Sequence, residues 1–377
     1  MKFSIAKDSV LIPLQRACGV IDRKQVNDIL GNVFLSVSSK ECWFIGSNND
    51  IQIETSCIPT SVEKPGLITV SSRKLVEICR SFPDGSIIEF NLHDQKLILK
   101  AGFIEFSLKT LPAEQYPRVE ALDLPHQLNL SEKNLKTLID RCSFAMAVQD
   151  VRYFLNGLMM EFEAERIVTA ATDGHRLALY RLNLDQPLAL DRSHLQAGQR
   201  FHILIPRRSI LELSKLCELS EKILTISFGH SHLRVQFSDS VFTTKLIDGQ
   251  FPDYEHVIPK VGEQQLLVER EALKLALSRV GILTNEKFRG VKFNLENNRL
   301  AISAHNLDHE EAKDVLNVEY AGQETIDVGF NITYITEAIG VLSEDWIRIS
   351  LAAKNFSAIL EEASNQNTVC VVMSMKL

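Results

Sequence analysis

One pattern recurs six times along the 377 residues: an apolar residue, any residue, an apolar residue, four of any kind, then another apolar residue. It describes a short strand that runs directly into a helix. The copies are Phe3/Ile5/Val10, Ile68/Val70/Leu75, Leu128/Leu130/Leu135, Ile203/Ile205/Ile210, Leu266/Val268/Leu273 and Val328/Phe330/Ile335. Their starts lie 65, 60, 75, 63 and 62 residues apart. A period this regular marks a chain built from copies of one supersecondary unit that cannot bury its apolar face alone. Each period leaves room for a helix and about four strands, so the expected class is α+β, antiparallel sheets carrying helices on one face. A chain of this length exceeds what one core serves. The copies therefore pair into three tandem similar domains, 1–123, 126–260 and 264–377, joined by proline-bearing linkers at 116–127 and near Pro259 and Gly262.

Along the chain the third copy is the clearest. Leu128 and Leu130 alternate with Gln127 and Asn129, and Leu135, Leu138 and Ile139 follow at helical spacing. This predicts a helix that reaches Met146. In the first copy Pro13 is expected to kink or interrupt the helix. Residues 184–200 break the repeat with Asp, Gln, Pro, Ser, His and Gly, and read as an inserted surface loop.

The net charge of −7 opposes a polyanionic partner. Its distribution does not. Acids and bases over the six helical windows 6–18, 71–82, 131–142, 206–217, 269–280 and 331–342 give +1, +2, +1, +2, +1 and −1, hence +6, which leaves −13 elsewhere. Helices gathered on one face would make that face electropositive. The seven cysteines stand singly, without a metal-ligand or Cys-x-x-Cys spacing, and suit buried thiols in a reducing compartment. No apolar run of about 18 residues suggests a membrane span, and Met1-Lys2-Phe3-Ser4-Ile5 opens no signal peptide, so a cytoplasmic protein is expected.

Catalytic signatures are missing from the sequence. There is no phosphate loop, dinucleotide fingerprint, nucleophile elbow or His-Glu-x-x-His, and no cofactor or metal is implied. Asp173-Gly174-His175-Arg176 is the one crowding of Asp, His and Arg, and reads as a turn with Gly174 at positive φ.

Five strings carry a resemblance: Asp150 to Gly157 (DVRYFLNG), Thr172 to Leu177 (TDGHRL), Phe251 to Tyr254 (FPDY), Asn285 to Gly290 (NEKFRG) and Val371 to Met375 (VVMSM). In these, and along its whole length, the chain resembles the bacterial DNA polymerase III beta-subunit family, the sliding clamps. The resemblance implies a ring of two head-to-tail chains, each forming half, with helices lining a hole for duplex DNA. It implies a non-enzymatic processivity factor for DNA replication, with no catalytic residue. Its partners would be double-stranded DNA without sequence preference, a second copy of itself, the replicative polymerase alpha subunit, the clamp loader, and other polymerases and repair proteins.

On the family's pattern Lys24, Arg73, Gln149, Arg152, Tyr153 and Phe154 approach the DNA. Lys24 stands where arginine is frequent and Phe154 where a second tyrosine is, which removes one hydroxyl. An apolar pocket for short partner peptides would comprise Leu155, Thr172, Gly174, His175, Arg176, Leu177, Pro252, Val257, Asn331, Tyr334, Ser357, Val371, Val372, Met373 and Met375. Ser374, His256 and Asn355 depart from the usual proline, arginine and apolar residue. Without the family, Val371 to Met375 reads as a core strand. Ring closure would pair Phe106 and Leu108 of the first domain with Ile282 and Leu283 of the partner's third domain. Two other classes stay open: a DNA-modifying enzyme with a site around Asp173 and His175, and a protein-binding repeat scaffold.

Overall fold

The computed structural model describes residues 1–22, 28–119, 122–188, 201–259, 264–322, 324–351 and 357–376. Each of the six sequence copies is a strand, a helix and a three-stranded meander. The first is β1 (Lys2–Ala6), α1 (Lys7–Cys18), β2 (Asn32–Val37), β3 (Cys42–Ser47) and β4 (Ile51–Cys57), followed by a short β5 (Ser61–Lys64). The second is β6 (Gly66–Ser71), α2 (Ser72–Ser81), β7 (Ile87–His93), β8 (Lys96–Ala101) and β9 (Ile104–Leu111). The third is β10 (His126–Ser131), α3 (Glu132–Asp140), β11 (Gly157–Phe162), β12 (Arg166–Thr172) and β13 (Arg176–Asn183). The fourth is β14 (His202–Pro206), α4 (Arg207–Leu216), β15 (Ile223–Phe228), β16 (His232–Gln236) and β17 (Ser240–Lys245), after which comes one turn, α5 (Tyr254–Val257). The fifth is β18 (Gln265–Glu269), α6 (Arg270–Val280), β19 (Gly290–Glu296), β20 (Arg299–His305) and β21 (Glu311–Asn317), with β22 (Glu319–Tyr320). The sixth is β23 (Ile326–Asn331), α7 (Ile332–Gly340), β24 (Trp346–Leu351), β25 (Ala358–Glu362) and β26 (Thr368–Val372).

The opening strand of each copy is hydrogen-bonded into the meander of its neighbour. β1 pairs with β7 and β6 with β2; β10 pairs with β15 and β14 with β11; β18 pairs with β24 and β23 with β19. This exchange explains why the copies come in pairs: a lone copy would leave its first strand without the longest of its ladders, or, for β10, β14 and β23, without any ladder among the described residues. Helical spacing does the rest. In α6, Leu273, Ala276, Leu277 and Val280 form one buried stripe, and in α2, Leu75 and Cys79 face in while Arg73, Lys74 and Arg80 face out. In the first pair of copies Phe3, Ile5, Leu14, Phe44, Phe90 and Leu99 share one core. Each such fully buried side chain contributes about 1.5–3 kcal/mol.

By compactness the chain forms two bodies, residues 1–133 with 211–246, and residues 134–210 with 247–377. Each body contains one further joint between meanders. In the first, β17 pairs antiparallel with β4 from Ser240↔Thr55 to Thr244↔Ile51. In the second, β13 pairs antiparallel with β26 from Arg176↔Val372 to Tyr180↔Thr368.

Two local expectations change. α1 runs unbroken through Pro13. A proline removes one ladder bond, and here α1 is held along its length by β3, β4 and α2, with the Thr55 hydroxyl donating to the Pro13 carbonyl at 2.8 Å. α3 stops at Asp140, not Met146; Ser143–Ala145 is a separate 3-10 turn. Buried Cys142, Ala145 and Met146 continue the apolar pattern without continuing the helix. Most of the inserted loop, 189–200, lies outside the described residues. All seven cysteines are free thiols, five buried and two half-buried.

Candidate functional site

The second body gathers the residues expected at the pocket from six separate stretches. Their centre is the turn between β12 and β13. Asp173 folds it: its Oδ1 accepts the backbone N–H groups of His175 (2.9 Å) and Arg176 (3.0 Å), while its Oδ2 accepts the Arg176 Nε–H (3.1 Å). The Thr172 hydroxyl donates to the Arg176 carbonyl and accepts from the Gly174 N–H. Gly174 sits at φ +88°, and a Cβ there would stand 3.0 Å from the Arg152 guanidinium. Only glycine takes this place without strain.

Arg176, its side chain 10% exposed, fixes the turn to its surroundings. The guanidinium pairs with Asp173 and Glu337, donates to the Phe144 carbonyl at 2.7 Å, and lies over the rings of Tyr334 (4.5 Å to the centroid) and Phe144 (5.2 Å). The His175 ring stacks on Tyr334 with centroids 6.5 Å apart. The β13–β26 ladder sets Leu177 opposite Val371 and Arg176 opposite Val372, and the Met373 N–H continues it by donating to the His175 carbonyl at 3.0 Å. Asn331 caps α7 by accepting from the Thr333 N–H (2.9 Å) and the Tyr334 N–H (3.4 Å), which orients Tyr334. The Met375 N–H donates to the Gly329 carbonyl.

Beneath this lies an apolar cluster that includes Leu177, Val371, Met159, Leu204, Phe251 and Tyr254, with Phe154 packed against it. Leu155, Val372 and Ser357 are buried; Ser357 leads into β25, whose Ala358 pairs with Val372. Pro252 is half-buried, and Met373 (44%) and Val257 (40%) are exposed. The arrangement is a rigid polar turn beside apolar side chains, among them adaptable methionines, which can receive a short apolar segment. His256 is exposed and engages Asp253 at 2.7 Å, Ser374 is half-buried, and Asn355 lies outside the described residues.

The residues expected at DNA divide. Lys24 lies outside the described residues. Arg73 projects from α2, exposed, and pairs one turn on with Glu77 at 2.9 Å. With Lys74, Arg80 and Lys109 it lines a groove of about 1150 Å³ in the first body that also takes in Leu108. Gln149 is exposed at φ +55°. Arg152 is held by Asp150, which accepts its Nε–H (3.0 Å), an Nη–H (2.9 Å) and its backbone N–H (2.8 Å). That hydrogen bonding lowers the Asp150 carboxyl pKa to about 2. Arg152 thus links the 149–153 loop to the Gly174 turn, where its guanidinium reaches the Asp173 carbonyl at 3.4 Å. Tyr153 is 58% exposed, while Phe154 turns toward the apolar cluster.

Among the third meander strands, two leave an edge open within the described residues. β9 pairs along its length with β8, and only Thr110 and Leu111 reach β6, so the outer edge over 104–109 carries no ladder. β21 pairs with β20 alone. Phe106 is half-buried, edge-on to Phe82, and Leu108 is buried. Ile282 is 78% exposed in the turn that follows α6, against β20 and β21, with Leu283 half-buried beside it.

Sequence reasoning missed Phe144, Glu337 and Asp150, all of which position the turn or loop, and β21 itself. Glu337 follows Tyr334 by three residues and so shares its helix face, a signal the sequence did carry. Both oxygens of Asp173 accept hydrogen bonds within the turn.

Comparison with known proteins agrees along the whole chain. Family profiles described as DNA polymerase III beta subunit, N-terminal, central and C-terminal domains match residues 1–120, 129–253 and 255–376. The beta sliding clamps of Pseudomonas putida and Escherichia coli are 38% and 35% identical over 377 residues, with full coverage of both chains. Among solved structures, a Pseudomonas aeruginosa sliding clamp bound to griselimycin matches at TM-score 0.93 and 38% identity, covering all of both chains. A Caulobacter crescentus beta sliding clamp matches at 0.92 and 27%, covering all of this chain and 99% of that one. Among the described residues no helix is long and apolar enough to cross a membrane. The chain belongs to the DNA polymerase III beta-subunit family, the sliding clamps that serve as processivity factors in DNA replication.

Proposed function

We propose that two copies of this chain close head to tail into a ring around duplex DNA, with domains at 1–123, 126–260 and 264–377 in each copy. The supporting observation is the pair of open edges. β9 and β21 are third meander strands, as are β17, β4, β13 and β26, and those four join in two antiparallel ladders within the chain. Each open edge has its equivalents at a filled joint. Uncovered strand edges are a liability, and β9 on β21 of a second copy covers both. Phe106 and Leu108 beside one edge, and Ile282 and Leu283 beside the other, supply apolar surface for the junction.

A closed ring holds DNA by topology, so its phosphate contacts need only be weak and independent of sequence. Arg73 and Gln149, with Lys24 and Tyr153, suit that task; the pairing of Arg73 with Glu77 and of Arg152 with Asp150 moderates the local positive potential. Arg152 serves to position the pocket turn. The groove at Leu177, Val371, Met373 and Tyr334 would take short tails of the replicative polymerase, the clamp loader and repair proteins, one at a time. Its inner residues act without bond chemistry.

Sedimentation equilibrium tests the reading. Wild type should have twice the chain mass at micromolar concentration, and Ile282→Asp, at a 78% exposed position, should give a folded monomer. A wild-type monomer at that concentration refutes the ring.

A further inference from the structure

This inference rests on the two-copy reading above and specifies how the copies recognise each other. The hydrogen-bonding parity of the ladders narrows the choice of register. In β9, the Thr110 N–H bonds to the carbonyl of Gln95, which leads into β8, so the odd-numbered residues 105, 107 and 109 aim their backbone groups at the open edge. In β21, the hairpin bond from Asn306 to Glu310 sets the even residues toward β20 and the odd residues 311, 313 and 315 toward the open edge. Only registers that match odd with odd form a ladder, and these differ by shifts of two residues.

The filled joint in the first body selects one of them. The β16–β17 hairpin closes at Phe237–Ser240 and the β8–β9 hairpin at Ala101–Ile104, so Ser240 corresponds to Ile104. The β3–β4 hairpin closes at Asn48–Ile51 and the β20–β21 hairpin at Asn306–Glu310, so Ile51 corresponds to Glu310. The observed pair Thr244↔Ile51 then carries over to Leu108↔Glu310. Counting outward sets Glu105 opposite Lys313 and Phe103 opposite Val315.

Charge and exposure agree with that register. Glu105 and Lys313 are exposed and have no ion-pair partner among the described residues. Glu89 lies opposite Lys100, and Lys100 opposite Glu105, so an alternating ladder crosses β7, β8 and β9 and stops at the open edge. Lys313 is the sign that continues it. Phe103 (108% exposed) and Val315 (49%) are apolar side chains at the two edges. Shifted by two residues one way, Glu105 would meet Glu311.

We propose that Glu105 of one copy and Lys313 of the other form the ion pair that sets the register and self-specificity of the ring junction, with Phe103 on Val315 beside it. The chain would then discriminate its own copy from related chains that lack this order of charges.

The test uses full-length chains. Glu105→Lys alone sets lysine against lysine at both junctions, and Lys313→Glu alone sets glutamate against glutamate. Each should raise the dimer dissociation constant roughly 30-fold, from a loss of about fivefold to sixfold at each of two junctions. Mixed in equal amounts, the two variants should form a heterodimer of wild-type affinity, since both of its junctions are complementary; with one variant labelled uniformly with 15N, native mass spectrometry distinguishes it. Dimerisation of each single variant within twofold of wild type, or a mixture that fails to recover, overturns the proposal while leaving the dimer intact. Complementation by Lys109→Glu with Glu311→Lys instead would also overturn it, since that pair marks a register shifted by two. A wild-type monomer would overturn the ring reading itself.

Discussion

Replacing Gly174 by alanine is the sharpest test of how the pocket turn is held. Gly174 lies at φ +88°, where a side chain costs about 1–3 kcal/mol. The new Cβ would stand 3.0 and 3.2 Å from the two terminal nitrogens of Arg152. Arg152 can swing away, and doing so loosens only its pairing with Asp150, a solvent-screened contact that contributes little to stability. The backbone strain therefore dominates. A turn that relaxes to escape it shifts the His175 carbonyl off the Met373 N–H and the His175 ring off Tyr334. A bound peptide must then restore the turn, so affinity should fall by the same free energy, about 5- to 150-fold. Fluorescence anisotropy with a labelled C-terminal peptide of the cognate polymerase measures this, and the midpoint of thermal unfolding should drop by about 2–4 °C per kcal/mol. Adding Arg152→Ala should recover the part due to crowding and leave the part due to φ. Peptide affinity and melting temperature both unchanged in Gly174→Ala would refute the claim that this turn is the rigid element of the site.

Other consequences are more direct. Arg176→Met strands the largely buried Asp173 carboxylate and the Phe144 carbonyl and should cost the second body about 3–5 kcal/mol, read as lower thermal stability and new protease cleavage near residue 173. The pairing of Asp150 with Arg152 should withstand mild acid. The carboxyl pKa is lowered, so the contribution is complete above the unfolded value of about 3.9 and disappears only as pH falls through about 2. NMR titration of Asp150 with a midpoint near 3.9 would contradict it. Arg73→Ala should reduce the salt slope of duplex binding by about 0.9, the share of one phosphate contact, irrespective of DNA sequence.

Much of this molecule is written locally. The six strand–helix signatures became β1–α1, β6–α2, β10–α3, β14–α4, β18–α6 and β23–α7, because alternation and 3.6-residue spacing act within ten residues. The exchange of opening strands was not legible: Phe3 and Ile5 show that β1 is half-buried, not that its ladder belongs to β7 of the next copy. Pro13 misled because propensity gave way to the packing of α1 on β4. The candidate pocket residues came only from the resemblance. The turn at 172–177 and the 371–375 strand share no motif, and they meet because β13 and β26, some 190 residues apart, form one ladder. β21 escaped notice because Glu311, Lys313 and Asp314 look like an ordinary solvated strand until its outer edge is seen to be open.

Retention on DNA of closed and open topology tests encirclement most directly. Loaded by its own loader onto a nicked circular plasmid and passed through a sizing column, the protein should co-elute with the circle. After a single restriction cut it should run off within the time of the column. Equal retention on circle and linear DNA, or loss from both at one salt-dependent rate, would contradict a ring and indicate ordinary binding to phosphates.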